Sequence, residues 1–540
     1  MKQHANFIER LESRQLLAGF PVSFGSSAWD TAYKIRSTGD GGFVVAGELK
    51  GTIDLDPTSG QTLLTSVGDT DIYVARFGAV GQLVWARQFG GIEGNFQDQR
   101  RIDSATDPER AGPFDLGVGL QPRDLGEYVT GLKTDGGGNV YVVGAFRGSV
   151  DFDPGSGERI LTSTDGKEFL DIFMLKLNSS GNLIFANSIG GQFTDVAQGL
   201  AVRNGEMYLS GYYSRIADFD PSDAQLMLTT NDRSRENAFV ARYDASGALV
   251  WAKDIATNDT RRDRRTAGND LTVDSAGNVY VVGSFSGRTD FDPSSAQVLV
   301  TAAKETDAFL LKLNDAGNFV FVKTFGGEKF DGAQSIAAAP NGTLYVASYF
   351  EETIDADPDP AVVRNVFATP ERIGRQPKRS DVLISSFAPA DGVLNWAKPF
   401  GSEGFEMIGG IAADANGDGV FVTGGFYGSA DFDPGRGRTI LTSTLGVEKF
   451  RDANDGDRDN SYDAFLWKLD SAGRFVFANR FGAASDDYGV AIDVDPSSGN
   501  VLIAGQFRGT VRPSANSRLR ASGKEDSFVS LYSALGDLLA

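Results

Sequence analysis

The stretch GNVYVVGAFRGSVDFDP, residues 138–154, is one of seven related copies in this chain. GNVYVVGSFSGRTDFDP begins at Gly277, and weaker copies begin at Gly41, Gly205, Gly342, Gly419 and Gly499. Each copy ends in a proline, and neighbouring prolines lie 65 to 97 residues apart, at Pro57, Pro154, Pro221, Pro293, Pro358, Pro434 and Pro513. Such self-similarity indicates a repeat architecture, and this spacing exceeds that of WD40 repeats (about 40–45) and kelch repeats (about 50).

Each repeat contains four segments with the pattern of β-strands. In the second repeat they are residues 129–135, 139–146, 171–178 and 182–190, with alternating apolar residues and Gly or Asn at the breaks. Four-stranded units repeated around an axis are propeller blades. We therefore predict an all-β fold, a seven-bladed β-propeller of four-stranded antiparallel blades, with repeat cores near 41–91, 138–191, 205–256, 277–327, 342–402, 419–483 and 499–540 plus 20–32.

The two chain ends predict how the ring closes. Gly536–Ala540 matches Gly181–Phe185, the start of an outer strand, and Phe20–Ala32 matches Phe185–Ala197 without a gap. The repeat is therefore divided inside one outer strand, whereas an open solenoid would need capping repeats with polar outer faces. We predict a leader segment over residues 1–19 and a propeller over residues 20–540, closed by pairing of the N- and C-terminal segments.

Composition excludes several classes of site. The chain has no Cys and one His, His4, so disulfides, thiolate nucleophiles, Cys/His zinc sites and Ser-His-Asp triads are unavailable to the repeats. The net charge of −21 repels phosphate backbones and argues against a nucleic-acid partner. No stretch approaches the roughly 20 apolar residues of a membrane helix, so no membrane-spanning segment is predicted.

The repeated D-x-D-P motif is the sharpest chemical signal, because residues two apart in a strand project their side chains together. One interpretation is structural: Asp accepts backbone N–H bonds at a strand end and Pro stops the strand. The seventh repeat favours it, since Val511-Arg512-Pro513 keeps Pro without the acids. The other interpretation is calcium, which takes about six to eight oxygen ligands. The candidate metal ligands are Asp54, Asp56, Asp151, Asp153, Asp218, Asp220, Asp290, Asp292, Asp355, Asp357, Asp431 and Asp433.

Loop lengths distinguish the two faces of the predicted disc. Connections between the first and second and between the third and fourth strands of a repeat are tight turns, such as DGGGN at 135–139. The other connections carry the long insertions, at Glu93–Arg123, Asn258–Thr266, Pro370–Ser380 and Lys449–Ser461. Loops on a rigid scaffold are the usual seat of binding, so we call this side the loop-bearing face and predict that it is functional. Its Arg-rich runs suit sulfated or carboxylated glycans, and they also suit plain solvated loops.

Two segments resemble known bacterial families. DGGGNVYVVG at 135–144 and DSAGNVYVVG at 274–283 resemble SBBP propeller repeats, a likeness that extends over about residues 20–540 and weakens in the fifth and seventh repeats. LESRQLL at 11–17 resembles the LEPR-XLL motif at the N-termini of large bacterial surface proteins, with Ser13 where that motif has Pro. These resemblances imply a bacterial protein that is secreted or held at the cell surface, and they imply no reaction.

The prediction for function is a binding module. No acid stands out except by repetition, which suits architecture better than one active site, so we predict no enzymatic activity. The module is expected to be monomeric and to bind an extracellular protein or glycan through the loop-bearing face. The alternative is a calcium-stabilised structural component of a surface layer, and a polysaccharide hydrolase or lyase is less favoured. The sequence does not name the ligand.

Overall fold

A computed structural model describes residues 22–26, 30–58, 60–68, 70–91, 126–166, 169–230, 236–259, 264–369, 380–402, 406–444, 462–482, 485–514, 517–521 and 525–539. These residues form 42 strands and no helix, so none of them belongs to a helix that could cross a membrane. The strands build seven antiparallel blades, which confirms the predicted propeller.

We name the strands of each blade A to D, from the axis outwards, and number all strands in chain order. Blade 1 contains β2 (Thr31–Ser37), β3 (Phe43–Leu49), β6 (Asp71–Phe77) and β7 (Leu83–Phe89). Blade 2 contains β8 (Glu127–Thr134), β9 (Val140–Phe146), β12 (Asp171–Leu177) and β13 (Leu183–Gly191). Blade 3 contains β14 (Val196–Arg203), β15 (Glu206–Ser214), β18 (Glu236–Tyr243) and β19 (Leu249–Thr257). Blade 4 contains β20 (Thr266–Val273), β21 (Val279–Phe285), β24 (Asp307–Leu313) and β25 (Phe319–Gly327).

The remaining blades follow the same order. Blade 5 contains β26 (Gly332–Ala338), β27 (Leu344–Glu351), β30 (Ser380–Phe387) and β31 (Leu394–Phe400). Blade 6 contains β32 (Glu406–Ala413), β33 (Gly419–Phe426), β36 (Asp463–Asp470) and β37 (Phe475–Phe481). Blade 7 contains β38 (Asp487–Val494), β39 (Val501–Phe507), β42 (Asp526–Tyr532) and β1 (Val22–Phe24).

Closure of the ring follows the prediction from the chain ends. The seven A strands contact one another in sequence, from β2 through β8, β14, β20, β26 and β32 to β38 and back to β2. The outer strand of blade 7 comes from both ends of the chain: β1 pairs with β42, with Val22 opposite Val529, and the Leu539 N–H donates to the Leu531 carbonyl at 2.8 Å. Pairing the two ends removes the free strand edge that an open ring would leave.

Burial explains why the middle strands are so apolar. Every residue of β9 and of β12 is buried, because these B and C strands are covered on both faces by the neighbouring blades. The D strand β13 alternates between buried and partly exposed residues, as expected for a strand at the rim. The predicted tight turns are also present: in the A–B turn of blade 4, Gly277 has φ +86° and Asp274 Oδ1 accepts the N–H groups of Ala276 and Asn278.

Each B–C connection contains a short hairpin that the sequence interpretation did not anticipate. The hairpins are β4 (Thr52–Asp54) with β5 (Leu63–Thr65), β10 (Ser149–Asp151) with β11 (Ile160–Thr162), β16 (Ile216–Asp218) with β17 (Met227–Thr229), β22 (Arg288–Asp290) with β23 (Leu299–Thr301), β28 (Thr353–Asp355) with β29 (Asn365–Phe367), β34 (Ser429–Asp431) with β35 (Ile440–Thr442), and β40 (Thr510–Ser514) with β41 (Ser517–Arg520). The hairpin of blade 3 pairs with the D strand of blade 2, where Gly190 lies opposite Asp218, and blades 4 and 5 repeat this contact. In these three blades the hairpin therefore joins the blade to the preceding one.

A second contact between neighbouring blades uses an aromatic ring and a turn glycine. Trp251 of β19 donates its indole N–H to the Asp315 carbonyl in the C–D turn of blade 4, at 3.1 Å. Its ring lies against Gly317, where an added Cβ would approach the ring to 3.0 Å. Trp85 and Trp396 make the same contact with Gly181 and Gly473.

Candidate functional site

The D-x-D-P carboxylates lie at the rim, one pair in each of six hairpins. In blade 2, Asp151 Oδ1 accepts the N–H groups of Asp153 (2.9 Å) and Arg159 (2.8 Å), and Asp153 Oδ1 accepts the Gly155 N–H (2.8 Å). Both carboxylates thus close the hairpin loop on itself. The first acids of the other five pairs, Asp54, Asp218, Asp290, Asp355 and Asp431, accept the equivalent N–H groups.

These contacts agree with the structural interpretation of the motif, in which Asp accepts backbone N–H bonds at a strand end. The second acids, Asp56, Asp220, Asp292, Asp357 and Asp433, likewise accept the N–H two residues further on. Since each pair belongs to a different blade, the fold does not gather the twelve carboxylates, and the described part of the chain contains no cluster of three acids suited to a metal ion. Calcium at these pairs stays a prediction.

The long insertions that define the loop-bearing face fall mostly outside the described residues. Glu93–Arg123 and Lys449–Ser461 lie there completely, and so does Pro370–Ser380 except for Ser380. Of the insertion at Asn258–Thr266, residues 258–259 and 264–266 are described. The binding role of this face stays a prediction.

A charged cluster that the sequence interpretation missed lies around the ring axis. Each A strand has a β-bulge near its start. After the bulge, an apolar residue of each A strand packs into the hydrophobic core: Ile35, Leu132, Leu200, Leu271, Ile336, Ile411 and Ile492. Because side chains alternate, the residues on either side of it lie on the axial side of the strand.

These two axial positions are neutral and small in most blades. The position before the apolar residue holds Lys34, Gly131, Gly199, Asp270, Ser335, Gly410 and Ala491. The position after it holds Arg36, Lys133, Ala201, Thr272, Ala337, Ala412 and Asp493. We call the five charged residues, Lys34, Arg36, Lys133, Asp270 and Asp493, the axial cluster. They break the sevenfold pattern, and an alignment of the A strands alone would have revealed them.

The two acids of the axial cluster are engaged with neighbouring blades. Asp270 Oδ2 accepts the Ser335 hydroxyl (2.9 Å) and the Ile336 N–H (3.0 Å) of blade 5. Asp493 Oδ2 accepts the N–H and the hydroxyl of Ser37 in blade 1, both at 2.8 Å. Arg36 Nη1 lies 3.9 Å from Asp493 Oδ1. These acids therefore join adjacent A strands.

The two lysines of the axial cluster differ from its acids, because neither ammonium group has a hydrogen bond or an ion pair within the described part of the chain. Burial, followed by the positive charge of Arg36, lowers the pKa of Lys133 to about 8, while Asp270 and Asp493 oppose the shift. Burial also lowers the pKa of Lys34. Charges from blades 1, 4 and 7 thus act on Lys133 in blade 2. The cluster, with three bases and two acids, is suited to an anionic group that replaces the missing partners of the lysines.

Comparisons with curated proteins show similarity over short segments. No family model matches the chain, so the SBBP and LEPR-XLL resemblances stay predictions. An uncharacterized WD repeat-containing protein of Acanthamoeba polyphaga mimivirus is 29% identical over 118 residues, which are 22% of this chain and 8% of that protein. The regulatory protein FlaEY of Caulobacter vibrioides is 27% identical over 203 residues, 35% of this chain and 20% of that protein. Each match therefore covers only a small part of the relative.

Comparisons with solved structures cover more of the chain at low identity. A luciferin-regenerating enzyme is 11% identical with a TM-score of 0.30, covering 75% of this chain and 92% of its own. A protein of unknown function from Dyadobacter fermentans is 10% identical with a TM-score of 0.34, and the match covers 75% of this chain and 94% of that protein. Neither likeness bears on the activity of this chain.

Proposed function

We propose that this protein is a non-enzymatic binding module of the bacterial cell exterior, and that its partner is an extracellular protein or glycan carrying acidic groups. The axial cluster supports this proposal most directly. Blades 1 and 2 bring two lysines and an arginine together at axial positions that are small and neutral in blades 3, 5 and 6. A half-buried ammonium group without a partner costs free energy, so an anionic ligand gains from pairing with it.

The loop-bearing face supplies a second region of contact in this proposal. Its Arg-rich insertions suit the same acidic groups. The axial cluster follows the bulges and lies toward the A–B turns, which are on the opposite face. The two regions are therefore separable by mutation. The resemblances to SBBP repeats and to the LEPR-XLL motif support the exterior location.

The experiment is a binding series with defined probes. The full chain is titrated calorimetrically with polygalacturonate and chondroitin sulfate, with neutral dextran as the control probe. In the variant Lys34→Met with Lys133→Met, affinity for an acidic probe should fall at least about tenfold. Lys304→Met with Arg438→Met is the matched control, because it removes two positive charges from exposed positions.

The outcomes distinguish the axial cluster from the loop-bearing face as the binding site. A loss confined to the axial variant supports the axial cluster, whereas a loss only on deletion of residues 449–461 places binding on the loop-bearing face. Equal binding by both double variants would overturn the axial assignment. Turnover of an acidic polysaccharide, abolished by one carboxylate substitution, would establish an enzyme instead.

A further inference from the structure

Six of the seven junctions between blades contain a pair of buried acids. One acid stands at or next to the start of a C strand, and the other at or next to the start of the following A strand. All twelve side chains are at most 8% exposed. The pairs are Asp71/Glu127, Asp171/Asp195, Asp307/Asp331, Asp381/Glu406, Asp463/Asp487 and Asp526/Asp30. We call them the junction pairs; none of these acids belongs to a D-x-D-P motif.

Two consecutive residues at the end of the D strand bring the acids of a pair together. Between blades 4 and 5, Gly326 lies against the Asp307 carboxylate, and Gly327 donates its N–H to Asp331 Oδ2 at 2.6 Å. Burial, and then the negative charge of Asp307, raise the pKa of Asp331 to about 8. Between blades 2 and 3, Gly190 lies against Asp171 and Gly191 donates to Asp195 Oδ2 at 2.7 Å.

The first of these two D-strand residues is glycine because the carboxylate beside it leaves no room for a side chain. An added Cβ at Gly326 would lie 2.5 Å from Asp307 Cγ, which is closer than any real contact. Glycine occupies this position at all six acidic junctions: Gly25, Gly90, Gly190, Gly326, Gly401 and Gly482. The fold thus reserves space for a carboxylate at each of them.

The junction between blades 3 and 4 is the internal comparison. It has Asn237 and Thr266 where the others have acids, and Ala256-Thr257 where the others begin with glycine. Its polar groups bond to one another: Asn237 Oδ1 accepts the Thr257 N–H at 3.2 Å, and the Thr257 and Thr266 hydroxyls lie 2.8 Å apart. Blades 3 and 4 therefore join without a pair of buried acids at these two positions, and the junction pairs need an explanation other than ring closure.

Several oxygens of the junction pairs lack a partner. Asp71 Oδ1, Glu127 Oε2 and Asp307 Oδ1 are buried and accept no hydrogen bond within the described part of the chain. The other Asp307 oxygen accepts the Ala303 N–H at 3.1 Å, which holds the carboxylate in place. Asp307 and Asp331 also form no ion pair with a described Lys or Arg. Asp331 accepts the Gly327 and Glu351 N–H groups, so the free oxygen of this pair is Asp307 Oδ1. Two buried carboxylates without a base beside them are costly when charged, unless a cation compensates them.

We propose that the junction pairs are binding sites for calcium ions, which join neighbouring blades, except at Asp463/Asp487, where the Arg480 guanidinium already pairs with Asp463. Calcium uses oxygen ligands only and completes its coordination with carbonyl oxygens and water, so two fixed carboxylates suit it. Magnesium demands a near-octahedral shell and keeps its water, which a buried junction disfavours. The D-x-D-P carboxylates are less suited, because among the described residues none of their oxygens is buried without a hydrogen-bond partner. This inference does not depend on the proposed function.

The test measures bound calcium and thermal stability of the full chain at pH 7.5. Equilibrium dialysis after EDTA treatment should give about five calcium ions per chain, because Arg480 takes the place of a cation at one of the six junctions. Calcium at a hundred times its dissociation constant should raise the melting temperature by about 2–3 °C for each site. Asp307→Asn with Asp331→Asn should remove one ion and one such increment. The matched control is Asp290→Asn with Asp292→Asn, which changes the hairpin of the same blade and should leave the calcium count unchanged.

Several results would contradict calcium binding at the junction pairs. The inference is overturned if the wild-type chain binds no calcium, if only the hairpin variant loses an ion, or if lowering the pH stabilises the chain while calcium does not. Should the junction variant fail to fold, Asp171→Asn with Asp195→Asn repeats the test at another junction. The wild-type calcium count decides the matter independently of any variant.

Discussion

Replacing Lys133 by methionine should make the protein more stable at pH 7 and at the same time weaken its binding of an acidic ligand. The ammonium group of Lys133 lies in the axial cluster without a partner among the described residues, next to Arg36 and Lys34. Methionine keeps most of the side-chain volume and removes the charge. A residue that lowers stability is expected at a site of binding, where function outweighs stability.

The magnitude follows from the lysine pKa, which falls from 10.5 to about 8. A tenfold change in proton affinity is worth about 1.4 kcal/mol, so the charged lysine destabilises the fold by about 3 kcal/mol, and by somewhat less because it is only half-buried. The unfolded chain takes up the proton first as pH falls, so this cost grows from pH 10.5 downwards and is complete below pH 8. For about 500 residues the unfolding entropy is about 1 kcal/mol/K, and the melting temperature should rise by about 2–3 °C.

Differential scanning calorimetry of both proteins at pH 7 and pH 9.5 measures this effect. The rise in melting temperature should reach its full size at pH 7. It should be less than half as large at pH 9.5, where the lysine is neutral in the folded wild type. Lys304→Met is the control, because Lys304 is exposed and its charge costs the fold little. A lower melting temperature for Lys133→Met would refute the reasoning, since it would mean that the lysine stabilises the ring as a structural ion pair.

Four further predictions test the ring and the axial cluster. Binding of polygalacturonate should weaken as pH rises from 7 to 9, because Lys133 loses its charge near pH 8; calorimetric titration measures it, and a constant affinity would exclude Lys133 from the site. Gly326→Ala should destabilise the chain by about 2 kcal/mol or more, since the new Cβ displaces the Asp307 carboxylate; a melting temperature equal to that of the wild type would contradict this. Asp151→Ala removes an acceptor of two backbone N–H groups and should cost about 1–2 kcal/mol in EDTA and in calcium alike; a loss seen only in calcium would identify a metal ligand. Trp251→Ala should cost about 3 kcal/mol by denaturant unfolding, because it removes the ring over Gly317 and the bond to Asp315; a loss below 1 kcal/mol would mean that this contact adds little.

The sequence predicted the blades well and the hairpins poorly. Residues 139–146 were expected to be a strand, and β9 runs from Val140 to Phe146. The hairpins at the D-x-D-P motifs were missed because β10 and β11 have only three residues each, too few for a periodic pattern. In blades 3, 4 and 5 the first strand of the hairpin also pairs with the D strand of the preceding blade, and no local sequence pattern indicates that contact.

The axial cluster and the junction pairs were missed for different reasons. Arg36 and Lys133 stand at equivalent positions beside the axis only after the A strands are aligned through their bulges, and a bulge is invisible to simple alternation. Asp307 and Asp331 are 24 positions apart, in separate blades, and each alone is an ordinary acid at a strand end. Their burial and the unpartnered oxygen of Asp307 exist only in the folded ring.

Repeat number, strand order and ring closure were therefore readable from the chain alone, because each depends on local patterns and on matching the two chain ends, Phe20–Ala32 and Gly536–Ala540. Tertiary structure decided which charges meet. Neighbouring blades bring together groups that are distant in sequence, and closing the ring withdraws them from water, so that a pair such as Asp307 and Asp331 acquires a need for a cation that neither residue has in the unfolded chain.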